Sequence, residues 1–255
     1  MKTYKFYFLI FAFTLPLLQG CETLTNVANT IGNSAVTQPL TEGQIANGLK
    51  EALNVGISNG VKTLVKKDGY FGNSLLKILL PKPVKEAEKV ITKYVPSGQN
   101  LMDNLVLKMN RAAEDAANEA TPIFKDAITG MTITDAKGIL FGADSAATTY
   151  LRNKTESKLT AAYSPKINNS LSKVGATQAW KALANPYNKF ANSTVGKLIN
   201  GVKPINANLG NYVTQKALSG LFYKVRQEEN KIRKNVSARV TNLLQRVFGE
   251  LDKKR

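Results

Sequence analysis

The sequence predicts an all-α protein: a single multi-helix, bundle-like domain that follows a flexible lipidated tether. Three observations lead there. Apolar residues recur three and four positions apart through several long segments, as on one face of a helix. Ser, Thr, Asp and Asn stand where those segments begin, and Gly or Pro where they end. Nowhere does a two-residue alternation persist beside a hairpin turn signal.

The elements follow in order. Thr41-Glu42-Gly43-Gln44 reads as a capping box, and Ile45, Leu49, Leu53, Ile57, Val61 and Leu64 carry a first helix to about Lys66. Asp68-Gly69-Tyr70-Phe71-Gly72-Asn73 is a turn-rich break, followed by an apolar piece over residues 75–80 and a Pro81-Lys82-Pro83 stop. Residues 84–94 predict a second helix with Pro83 near its first turn. Ser97 is positioned to cap a long third helix through Leu101, Leu105, Met109, Ala112, Ala113 and Ala116, broken or kinked at Pro122. Thr132 or Thr134 opens a short helix that ends near Gly138 to Gly142. Asp144 is the expected cap of a helix through Ala147, Tyr150, Leu151 and Leu159 that Pro165 kinks or terminates. Residues 174–190 read as an aromatic-rich helix, and residues 192–210, with three glycines and a proline, as the longest loop. Asn211 begins an amphipathic helix through Val213, Ala217, Leu221, Val225, Glu229 and Ile232. Asn235 or Ser237 is the expected cap of the last helix, with Val240, Leu243, Leu244, Val247 and Phe248 on its apolar face and Gly249 closing it. The helical domain is thus expected over residues 41–250, with residues 251–255 as a basic tail.

The start of the chain addresses location. Lys2 and Lys5 form a basic n-region, and the apolar run over residues 6–18 is too short for the ~20 residues of a membrane span. Leu18-Gln19-Gly20-Cys21 then reads as a lipobox, although Gln19 replaces the usual small residue. Residues 1–20 are expected to be a cleaved lipoprotein signal, with Cys21 lipidated and several acyl chains holding the protein stably on a membrane. Residues 21–40, rich in Thr, Asn, Ser and Gln, have the composition of a flexible tether. Glu22 follows the cysteine, where an aspartate commonly signals inner-membrane retention, so the expected place is the outer membrane, facing the periplasm.

Composition narrows the chemistry. Cys21 is the only cysteine, so no intramolecular disulfide can form and stability must come from packing. The chain has no histidine, which rules out Ser-His-Asp and Cys-His catalysis and zinc sites built on His. Carboxylate pairs, Ser-Lys dyads and oxygen-ligated Mg²⁺ or Ca²⁺ sites survive. The formal charge of +17 is unevenly spread. Residues 157–227 contain no acid, yet hold Lys158, Lys166, Lys173, Lys181, Lys189, Lys197, Lys203, Lys216, Lys224 and Arg226. The stretch 101–135 is rich in Asp and Glu, so the molecule is expected to be electrically bipolar.

A resemblance follows from residues 40–53, Met109-Asn110-Arg111-Ala112-Ala113-Glu114, Asp135-Ala136-Lys137-Gly138-Ile139-Leu140, and Tyr212-Val213-Thr214-Gln215-Lys216-Ala217-Leu218-Ser219-Gly220-Leu221-Phe222. Together they resemble the bacterial lipoprotein family catalogued as domain of unknown function 4197, over roughly residues 40–249. The resemblance implies an exported α-helical domain and supplies no catalytic residues.

Each candidate site has a plainer alternative. Ser74-Leu75-Leu76-Lys77 and Ser170-Leu171-Ser172-Lys173 match Ser-x-x-Lys, but neither has the partner motifs of that chemistry. Glu114, Asp115 and Glu119 are close enough for a cation site or an acid and base pair, while Arg111, three and four residues earlier, favours an ion-paired face. The pairs Gly56/Gly60 and Gly138/Gly142 fit close helix packing or helix ends. No phosphate-binding loop or dinucleotide fingerprint is present. The acid-free window makes Lys166, Lys173, Lys181 and Lys189 candidates for contact with anionic lipid or an acidic envelope polymer, against the bland alternative of solvated surface. Nucleic acid is not expected in an exported compartment. The leading expectation is a membrane-anchored envelope lipoprotein with a non-enzymatic binding or structural module, no cofactor and no metal, and an unidentified protein partner. A carboxylate-based or divalent-metal-dependent enzyme and a carrier of an apolar ligand are the alternatives.

Overall fold

The computed structural model describes residues 39–200, 202–205 and 208–253, and every regular element among them is helical. The lipobox, Cys21 and nearly all of the tether lie outside the described residues. Thr41 opens α1 (Glu42–Leu64) with the expected capping box: its hydroxyl accepts from the Gln44 amide at 3.2 Å, and the Gln44 side chain accepts from the Thr41 amide at 3.0 Å. Such a cap contributes about 1 kcal/mol. After a loop come α2 (Lys82–Glu86) and α3 (Glu88–Tyr94), so the single helix expected over residues 84–94 is broken at Ala87. Next is α4 (Gly98–Ala116); Ser97 occupies its cap position in a left-handed conformation and makes no capping hydrogen bond, contrary to expectation.

The break expected at Pro122 falls earlier, in a 3₁₀ turn over Ala117–Glu119, and Pro122 sits in the first turn of α5 (Ala120–Thr129), where a missing N–H costs nothing. Thr132 caps α6 (Ile133–Leu140), and the Thr132 hydroxyl and amide hold the Asp135 carboxyl below its ordinary pKa. Gly142 lies just past the end of α6, whereas Gly56 marks close packing: a Cβ there would come 3.3 Å from the Glu228 Cβ.

α7 (Ala146–Lys173) corrects the expectation most. It does not terminate at Pro165 but continues past it, and Pro165 sits exposed on its outer face. Its buried residues Ala147, Leu151, Thr155, Leu159, Tyr163, Ile167 and Leu171 recur every fourth position. At 3.6 residues per turn each step advances the stripe by about 40°, so the buried face winds around the helix. One element can therefore pack against α10 and α5, and against α4 and α8. Contacts on both sides of Pro165 offset the lost backbone bond, which alone costs about 3 kcal/mol. α7 ends where Gly175 adopts the left-handed conformation that glycine takes without strain.

α8 (Ala176–Ala191) follows, again with an internal proline, Pro186. The expected loop over residues 192–210 contains α9 (Thr194–Lys197). α10 (Leu209–Lys234) starts two residues before Asn211 and is capped by Asn208. Asn235 caps only the 3₁₀ turn Val236–Ala238; Thr241 caps α11 (Asn242–Asp252), which passes through Gly249 rather than stopping there. α10 packs against α1 and α7, and α1 also takes α5, α6 and α11, so the core is built around α1, α7 and α10, with α4 and α8 extending it beyond α7.

Candidate interaction surface

α1 ends at Leu64, and residues 65–81 form no regular helix, yet this loop is tied to α4 and α10 by hydrogen bonds. Glu114 on α4 is the first anchor. One carboxylate oxygen accepts from the Tyr70 and Phe71 amides at 3.1 Å each, and the other takes the Arg111 guanidinium at 2.6 Å. Arg111 reaches Asp68 with its second nitrogen, also at 2.6 Å. The Asp68 hydrogen bond, with Glu114 adding to it, raises the Arg111 pKa. Asn110, one turn back on α4, is the second anchor. Its amide accepts from the Ile78 N–H and donates to the Ile78 carbonyl, both at 2.8 Å, as a neighbouring strand would.

α10 supplies the other side. The buried Tyr70 hydroxyl donates to the Ala217 carbonyl at 2.8 Å, and Tyr70 lies against Gly220, where a Cβ would stand 2.7 Å from the ring. Burial, with Tyr163 and Glu114 contributing, pushes the Tyr70 pKa well up. The Tyr212 hydroxyl donates to the Leu79 carbonyl at 2.8 Å. Two of the sequence segments that carry the family resemblance, residues 109–114 and 212–222, thereby meet at this loop.

The clamp decides what the loop shows to solvent. With Ile78 fixed, side chains alternate as in a strand: Leu76 and Ile78 are 5% and 1% exposed, whereas Leu75 and Leu79 are 70% and 49% exposed. Tyr212, Lys216, Ser219 and Tyr223 recur at spacings of four, three and four along one stripe of α10. Between them and residues 75–79 lies a half-open groove of about 370 Å³. A cleft of about 270 Å³ shares Tyr212 and continues toward Trp180. Lys77 and Lys216 are the charged groups lining the groove; the Lys77 ammonium stands 4.0 Å above the Phe71 ring.

A second polar cluster serves the fold. Glu229 on α10 accepts from the Ala147 and Thr148 amides at 2.9 Å each and from the Thr148 hydroxyl at 2.7 Å, capping α7. This is the role expected of Asp144, which instead pairs with Lys234 at 2.7 Å. Arg233 bonds Glu229 at 3.1 Å and donates to the Ile139 and Leu140 carbonyls, closing α6. A carboxylate thus meets the positive end of one helix and a guanidinium the negative end of another.

The residues singled out by sequence are not brought together. Glu114 is used in the clamp, Asp115 accepts a hydrogen bond from the Ser170 hydroxyl, and Glu119 lies 3.8 Å from Lys166. Arg111 pairs with Glu114 and Asp68 rather than with Asp115. Ser170 therefore faces Asp115, and Ser74 sits exposed in the loop, within a single turn closed by the Lys77 N–H on the Asn73 carbonyl at 2.8 Å. Among the described residues no group of three or more acids, His or Cys is arranged to hold a metal ion. Lys166 and Lys173 lie on α7 and Lys181 and Lys189 on α8; Lys166 pairs with Glu119, while Lys173, Lys181 and Lys189 are exposed. An apolar void bordered by Leu49, Ile57, Val225 and Phe248 measures about 20 Å³, the scale of a single water. No helix among the described residues is long and apolar enough to cross a membrane.

Sequence reading missed the joint work of Tyr70, Asn110 and Tyr212. The available signal was an aromatic pair inside a turn, beside an apolar run with no helical cap. A family described as "Protein of unknown function (DUF4197)" matches residues 39–249, which include the whole clamp and groove. The chain belongs to this family. No curated protein and no solved structure matches it. Membership brings a matched range and no chemistry.

Proposed function

We propose that this member of the family is an envelope lipoprotein, anchored through acylated Cys21 on the periplasmic face of the outer membrane, whose helical domain is a non-enzymatic binding module. One observation carries the binding reading: a buried carboxylate, a buried amide and two tyrosines are spent on fixing a loop whose outward side chains are leucines and lysines. A clamp of that kind builds a surface rather than a reaction centre. The enzyme alternative loses support because Glu114, Asp115 and Glu119 each serve a separate contact, and the carrier alternative because the void near Phe248 has no room for an apolar ligand. Lys173, Lys181 and Lys189 offer further cationic contacts to anionic lipid or an acidic envelope polymer, with Lys166 already engaged by Glu119. Replacing Cys21→Ser tests the anchor: the protein should leave the membrane fraction for the soluble one and lose its acyl mass. A substituted protein still acylated and membrane-bound sinks this reading.

A further inference from the structure

We propose that the clamped loop is itself a membrane contact: Leu75 and Leu79 enter the interfacial layer of a bilayer containing anionic phospholipid, while Lys66, Lys67, Lys77 and Lys216 meet its headgroups. This rests on the envelope placement above and goes beyond it by assigning a lipid-facing surface within the folded domain.

Four features converge on that occupant. The exposure of the leucines is enforced, because Asn110 and Glu114 set the register that turns Leu76 and Ile78 inward. Single exposed leucines are ordinary, but a fixed pair beside the exposed Tyr223 makes a local apolar tip. The charge around it is mainly positive. From Lys62 to Lys85 the chain carries six lysines and one acid, Asp68, and that acid is tied to Arg111. Lys66 and Lys67 border the open concavity that reaches Ser74, next to Leu75, and Lys77 and Lys216 border the groove itself. Finally, tyrosines flank the tip, and amphipathic rings of this kind favour the headgroup level of a bilayer. Apolar insertion together with cationic attraction is the pairing that holds peripheral segments to anionic membranes. A polypeptide partner or a second copy of the chain would also cover leucines, but a lysine-rich rim whose acid Asp68 is already paired with Arg111 matches an anionic sheet.

The test uses the full chain carrying Cys21→Ser, which removes both the acyl chains and the native thiol, with Leu75→Cys or, separately, Leu79→Cys labelled by a polarity-sensitive fluorophore. Helicity is checked by circular dichroism, so that either label position remains informative if the other disturbs the fold. Mixed with vesicles of equal phosphatidylglycerol and phosphatidylcholine at low salt, both labels should shift to the blue. A label at exposed Asn54 on α1 should not. Pure phosphatidylcholine should leave all labels unshifted. Lys77→Gln with Lys216→Gln should weaken the response roughly tenfold, and added salt should weaken it further. Unshifted emission at positions 75 and 79 with phosphatidylglycerol, an equal shift on neutral vesicles, or a shift that depends on protein concentration without vesicles would each overturn the proposal. Binding by the leader segment alone leaves positions 75 and 79 in water and counts against it as well. None of these results bears on the Cys21→Ser fractionation, so the two readings fail separately.

Discussion

Glu114, Asp115 and Glu119 each meet a different partner: the loop amides with Arg111, the Ser170 hydroxyl, and Lys166. Glu114 is buried and accepts two backbone amides and a guanidinium, whereas the Lys166–Glu119 pair is 3.8 Å apart with both side chains 40% exposed. Buried polar groups left without partners cost far more than a surface ion pair returns. Glu114→Ala should therefore cost about 3–5 kcal/mol in urea denaturation and open residues 66–80 to proteolysis, because Tyr70 and Phe71 lose their acceptor and Arg111 loses a partner. Glu119→Gln should change stability by no more than about 1 kcal/mol. Equal losses would contradict the assignment of these carboxylates. The proximity of the three acids was visible in the sequence, but their directions depend on which loop and which helix pack against α4.

At the scale of elements, helix ends are completed from a distance. Ser145 stands at the start of α7 without a capping hydrogen bond, and Glu229 of α10 does that work, held by Arg233. Glu229→Ala should destabilise the domain by about 3–5 kcal/mol, since it uncaps α7 and strands a buried guanidinium. Hydrogen exchange at the Ala147 and Thr148 amides should quicken before exchange elsewhere in α7; unchanged protection there would mean another group caps the helix. Arg239 follows the same logic at the end of α10, donating to the Ile232 and Arg233 carbonyls and pairing with Asp252 of α11. These arrangements are invisible to a local reading because each joins residues on different helices. The Thr41 and Thr132 capping boxes were readable because both partners lie within one turn.

Across the whole molecule, tyrosine hydroxyls tie separate elements together. Tyr70 links the loop to α10, and Tyr163 approaches the Ala117 carbonyl from α7. Burial raises the pKa of both, and raises those of Tyr150, Tyr187 and Tyr212 as well. A tyrosine ionises near pH ~10 in the unfolded chain and higher in the fold, so the unfolded state releases protons first. Stability from these groups is full below pH ~10 and is lost as pH rises above it. An alkaline titration should show an exposed class of tyrosines ionising near pH 10 and a second class ionising only as helicity collapses. Simple titration of every tyrosine near pH ~10 with intact helicity would disprove the burial of these rings.

Sequence alone was enough to give helices to the described domain and to place most of them, because apolar spacing and capping motifs act within one or two turns, and the resemblance of whole segments gave the family. The tertiary structure alone decided that α7 continues through Pro165, which carboxylate caps it, and that Leu75 and Leu79 face outward while Leu76 and Ile78 face in. Each of those outcomes turns on a partner far along the chain, such as Asn110 for Ile78 or Glu229 for Ala147, and the energy of that contact outweighs the local preference against it.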